Sequence, residues 1–162
     1  MACLMPYRST EVLSPGPADL APIAILTLAH DQRHVRRKLI HLPDDDVVML
    51  DLRQAVMLSD GDLLVLEGGG HIRIEAAEEP LYEVRGHDAR HLTELAWHLG
   101  NRHLPAAIEA DRILILRDPV MLPMLEGLSA SVREVVEPFQ PARGAYHHGG
   151  HDHGHGAGHS HG

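Results

Sequence analysis

From Ile23 to Ala77 short apolar runs alternate with turn signals: IAILTL, RRKLIHL, VVMLDL, LLVLE and HIRIE, divided by PDDD, LSDGD and GGG. Runs this short, bounded by Asp, Gly and Pro, predict strands joined by tight turns. Four prolines (Pro6, Pro15, Pro17 and Pro22) fall within residues 1–22, which predicts an extended leader with little regular structure. After Glu79 the period changes. LYEV predicts a short strand, and from His87 to Leu99 the apolar positions Ala89, Leu92, Leu95, Ala96 and Leu99 recur at helical spacing until Gly100 ends the segment. AAIEA, a turn at Asp111, RILIL, a helix from about Pro119 to Leu128, and SVREVVEPF complete the series.

The second half therefore runs β-α-β-β-α-β, the order of a ferredoxin-like unit in which two helices cover one face of a four-stranded antiparallel sheet. The expected fold class is α+β, with three parts: a leader and all-β domain over 1–79, the ferredoxin-like domain over 80–141, and a tail over 142–162. Each half has about 60 residues, a size at which a lone core is marginal, so the halves should support one another or oligomerise.

Composition narrows the functional classes. The 23 acidic and 14 basic side chains leave a formal charge of −9, which argues against a nucleic-acid binder. Five aromatics (Trp97, Tyr7, Tyr82, Tyr146 and Phe139) are too few for a stacking platform. No apolar run reaches the roughly 20 residues of a membrane-spanning helix. The single cysteine, Cys3, has no intramolecular disulfide partner, and no signal-peptide pattern opens the sequence, so the expected compartment is the cytoplasm. Gly68, Gly69 and Gly70 are not followed by Gly-Lys-Ser/Thr, which leaves a hairpin and excludes a P-loop. The Asp44, Asp45, Asp46 cluster reads as a solvated turn.

Histidine is the outlier, with 15 copies. Seven of them, His147, His148, His151, His153, His155, His159 and His161, lie in the last 16 residues among Gly, Ser, Ala and Asp152. A segment so poor in apolar side chains should be disordered when free, yet glycine spacers let several neutral imidazoles converge on one ion. Purification tags are uninterrupted histidine runs, and this segment is not. Cys3 and Met5 are possible soft ligands at the other end, though a lone Cys there reads as incidental. His30, His34, His41 and His71 show no ligand spacing. His87, His91, Glu94 and His98 share one helical stripe that reads as a solvated polar face or, less simply, as a chelating set.

LGNRHLP, residues 99–105, places His103 in a turn after the helix. With the hydrophobic strand that follows, MLEGL, EPFQPARGAY and the histidine-rich end, and with LSDGDLLV and PLYEVR upstream, the chain resembles the UreE urease accessory family of nickel metallochaperones from about residue 23 onward. That resemblance implies a β-rich protein-contact domain and a ferredoxin-like domain through which two subunits join. It also implies that His103 binds nickel at the dimer interface, because it occupies the histidine of the family's GNRH string. The implied partners are the GTPase UreG and its UreF and UreH (UreD) companions, with Ni(II) as cargo and Zn(II) or Cu(II) as competitors. The strand after the motif reads Ile113, Leu114, Ile115, Leu116, Arg117 and carries no accessory histidine. A passive histidine-rich buffer is the alternative function. A metal-dependent hydrolase is disfavoured, since nothing like His-Glu-x-x-His occurs.

Overall fold

Alternation in the first half folds into one sheet, and the computed structural model describes the chain over residues 6–15 and 21–143. Strands β1 (Tyr7–Leu13), β2 (Ala24–Leu28), β3 (His34–His41), β4 (Val47–Met57), β5 (Leu63–Leu66) and β6 (His71–Ala76) pair in the order β2-β6-β5-β1-β4-β3. Leu26 and Leu28 from one edge share a core cluster with Val35 and Ile40 from the other, together with Val48, Leu50, Leu64, Ile72 and Ile74. Six strands laid flat would hold their edges roughly 24 Å apart. The sheet therefore curls so that one face closes on itself.

β1 corrects an expectation. The segment read as an unstructured leader runs inside the sheet, parallel to β4 from Tyr7↔Val48 to Ser9↔Leu50 and antiparallel to β5 down to Leu13↔Leu63. The buried position is occupied by Ser9, whose hydroxyl donates to the Glu11 carbonyl at 3.2 Å, so a hydroxyl stands where an apolar signal would have marked a strand. Pro6 and Pro15 flank the strand and remove no ladder bond from it.

Both turn readings match the structure. Asp45 takes φ 68 between β3 and β4, and Leu42 donates to the Asp46 carbonyl at 2.8 Å. Gly68, Gly69 and Gly70 take φ 95, 107 and 84 between β5 and β6, a run of left-handed conformations that only glycine adopts without strain.

The second half contains β7 (Glu78–Arg85), α1 (Ala89–Gly100), β8 (Ala106–Ile108), β9 (Ile113–Leu116), α2 (Met121–Gly127) and β10 (Ser131–Pro138), with its sheet ordered β10-β7-β9-β8 and every pair antiparallel. α1 begins two residues later than its periodicity suggested, because Asp88 caps it by accepting from the His91 amide at 2.7 Å. Leu92, Leu95 and Leu99 of α1 and Met121 and Leu125 of α2 pack with Tyr82, Val84, Ile113 and Ile115. Alternation turns Leu81 and Leu114 to the opposite face, where fully buried Phe139 covers them. Beside them lies an ion network. Glu83, 3% exposed, accepts from Arg85 at 2.9 Å, Arg112 at 2.9 Å and Arg133 at 3.2 Å, and Arg112 also reaches Glu109 and Glu137.

Polar contacts join the two sheets. His30 Nδ1 donates to Glu79 at 2.8 Å, the buried Arg33 guanidinium donates to the Phe139 carbonyl, and the Asp60 amide donates to Gln140 at 2.9 Å.

Candidate functional site

The end of α1 decides how His103 is presented. Gly100, where the helix was expected to end, is its last residue, and the chain tightens beyond it. The amides of Arg102 and His103 donate to the carbonyls of Leu99 and Gly100, each at 3.1 Å, and His103 itself adopts φ 56. A glycine normally takes that left-handed position, and a residue with a Cβ pays about 1–2 kcal/mol for it. Strain of this kind persists where the surroundings over-determine it, which is often at functional sites. The side chain is exposed, and among the described residues no group hydrogen-bonds to its ring.

Other histidines differ sharply. His91 is 8% exposed, with Nε2 donating to the Leu128 carbonyl at 2.8 Å and Nδ1 accepting from the His87 amide at 3.1 Å. Both nitrogens are thus committed and the tautomer is set, so His91 ties α1 to the turn between α2 and β10. The His87 ring stacks on it at 3.8 Å. Glu94 pairs with Arg90 at 3.3 Å, and His98 packs edge-on against Trp97. The stripe of His87, His91, Glu94 and His98 is therefore neither a chelating set nor a wholly solvated face. His91 is a structural histidine that helical periodicity gave no means of picking out.

Among the described residues no group of three or more His, Cys, Asp or Glu side chains could hold a metal ion. His103 supplies one imidazole, and no set of three such side chains among the described residues completes a site around it. Cys3, Met5, His147, His148, His151, His153, His155, His159 and His161 lie outside the described residues, as does the expected disorder of the tail.

Asp44, Asp45 and Asp46 form only the β3–β4 turn. The arginines of β3, by contrast, were given no role by their sequence pattern, and they line two hollows on the outer face of the first sheet.

Comparison with known proteins follows the same division of the chain. Residues 9–77 match the UreE urease accessory protein N-terminal domain, and residues 79–162 match the corresponding C-terminal domain. A urease accessory protein UreE from Sinorhizobium fredii is 71% identical over 147 residues, covering 91% of this chain and 92% of its own. One from Rhizobium meliloti is 67% identical over 158 residues, covering 98% and 100%. One from Agrobacterium fabrum is 64% identical over 147 residues, covering 90% and 91%. The chain belongs to the UreE family of urease accessory proteins, which are maturation factors for urease and not enzymes.

Proposed function

We propose that the protein is a nickel metallochaperone that donates Ni(II) during assembly of the urease metallocentre. The observation that carries this reading is the His103 side chain. It is the exposed imidazole of the GNRH turn, held in a strained backbone position, with no hydrogen-bonding partner for its ring among the described residues. One imidazole cannot complete the square-planar or tetragonal shell that Ni(II) favours. The reading supplies the missing donors in two ways. The second half, read as a ferredoxin-like dimerisation domain over 80–141, pairs with its copy so that two His103 rings meet across a twofold axis. Histidines 147, 148, 151, 153, 155, 159 and 161 add further imidazoles.

A shell built from one fixed pair and several replaceable donors releases its ion stepwise to an acceptor. Zn(II) and Cu(II) compete for the same nitrogens, and the affinity order puts Cu above Ni, so delivery to nickel-specific partners must supply selectivity. The acceptor in this reading is the urease maturation machinery of the cytoplasm, the GTPase UreG with UreF and UreH (UreD).

Equilibrium dialysis with the full chain, His103→Ala and a chain ending at Tyr146 tests the donor set. Each change is expected to lower nickel affinity or stoichiometry, and no change in either variant refutes the assignment. Activation of apo-urease in the presence of UreG tests delivery. The truncated chain should retain activation and His103→Ala should lose it; the opposite pattern makes the protein a passive nickel buffer.

A further inference from the structure

On the face of the first sheet turned away from its core, β4 makes an irregular step against β3. Val35 pairs with Val56 and Arg37 with Asp51, so the four residues from Leu52 to Ala55 oppose Arg36 alone. Such bulges re-aim side chains. Here Arg36 and Arg53 are both exposed on either side of the step. Next to them Asp51 is clamped between Arg8 at 3.0 Å and Arg37 at 2.9 Å.

Two shallow hollows meet at this clamp. One, of about 410 Å³, is lined by Thr10, Arg36, Arg37 and Arg53 along with Asp51. The other, of about 560 Å³, is lined by Pro6, Arg8, Met49 and Leu50 along with Arg37 and Asp51. Among the described residues Asp51 is the sole acid lining either one, and the hydrogen bonds from Arg37 and Arg8 already satisfy it. Among the described residues Arg36 and Arg53 have no ion-pair partner. Four guanidinium groups therefore line these adjoining hollows against two acids, Asp51 and Glu67, the latter 3.9 Å from Arg8, on a chain whose formal charge is −9. Apolar surface adjoins them, since Leu39 and Met49 pair across β3 and β4 and stay 46% and 40% exposed.

We propose that this face docks an extended acidic segment of a partner protein, with carboxylates at the Arg36 and Arg53 hollow and an apolar side chain at the Met49 hollow. Alternate residues of an extended peptide face the same way, about 7 Å apart. That arrangement suits neighbouring hollows of which one is cationic and the other largely apolar. A long polyanion such as a nucleic acid fits less well, because the rest of the chain repels it and, among the described residues, no aromatic ring lines either hollow. His103 does not line either hollow, so the proposal stands independently of the nickel reading.

Fluorescence anisotropy tests it, using the full chain and a labelled, end-blocked ten-residue peptide alternating Glu with Leu. Saturable binding is expected that weakens as salt rises. The double variant Arg36→Glu/Arg53→Glu should weaken it by about tenfold or more, single Arg53→Gln by a few-fold, and Met49→Ser by a few-fold. A peptide with Gln in place of Glu should not bind. Melting temperature and nickel stoichiometry of the variants should stay at wild-type values, so a failure of the nickel reading would be seen separately. Equal binding by wild type and the Arg variants overturns the proposal, as does complete displacement of the peptide by inorganic phosphate at matched ionic strength. Sedimentation showing that wild type self-associates and Arg36→Glu/Arg53→Glu does not would also overturn it, by making the occupant a second copy of this chain through its Asp44–Asp46 turn.

Discussion

Glu83→Gln isolates the ion network on the second sheet, because it removes one charge and keeps the side chain's shape. In the native protein the Arg85 hydrogen bond, helped by Arg112 and Arg133 and opposed by desolvation, holds the Glu83 carboxyl at about 2, against an ordinary value of 4.5. A depression of that size corresponds to a ceiling of about 3 kcal/mol. Two of the arginines are substantially open to solvent, with Arg85 42% and Arg133 70% exposed, and screening lowers the figure to about 1–2 kcal/mol. The substitution also leaves no buried cation orphaned, since Arg133, whose acid partner among the described residues is Glu83, is 70% exposed. Arg112 keeps Glu109 and Glu137, and Arg85 keeps Asp111. The larger penalty of breaking an isolated buried pair is therefore not expected.

Because the folded-state value is depressed, the contribution is fully present above the unfolded-state value of about 4.5 and disappears as the pH falls toward about 2. Urea unfolding followed by circular dichroism should show Glu83→Gln less stable by about 1–2 kcal/mol near neutral pH, with the gap closing between about pH 4.5 and pH 2. A gap below about 0.5 kcal/mol at neutral pH, or one that does not change with acid, refutes the reasoning.

Phe139→Ala should cost about 3–5 kcal/mol in denaturant unfolding, since the ring is fully buried against Leu81 and Leu114 and its loss leaves a cavity at the junction of the two sheets; a cost under about 1 kcal/mol would mean the junction collapses freely. His103→Gly should match wild-type stability to within about 1 kcal/mol, whereas His103→Ala retains the left-handed strain. Both should lose tight nickel binding. Calorimetry finding the glycine variant clearly less stable than the alanine variant would contradict the strain argument.

Much of the second half was legible because its signals are local. Leu92, Leu95 and Leu99 mark one face of α1 by spacing alone, and the apolar run from Ile113 to Leu116 can form little but a buried strand. β1 was not legible, because its place is set by β4 and β5 on either side and its buried position is a serine. Gly100 offered the usual sign of a helix end, but the left-handed residue is His103, three positions later, where i to i−3 hydrogen bonds had tightened the turn. The role of His91 depends on the carbonyl of Leu128, 37 residues away, and the arginine hollows depend on an irregular register between β3 and β4. No single-chain pattern encodes such juxtapositions. The GNRH turn and the histidine-rich end were visible as residue types. A shared ion between copies is a property of two chains, which one sequence expresses only through its motif.

The most direct test of the nickel reading is anomalous diffraction at the nickel edge from crystals of the full chain loaded with Ni(II). The account predicts one strong peak on a twofold axis, with an imidazole nitrogen of His103 from each chain within bonding distance. A peak elsewhere, or paired His103 rings too far apart to share an ion, would contradict it.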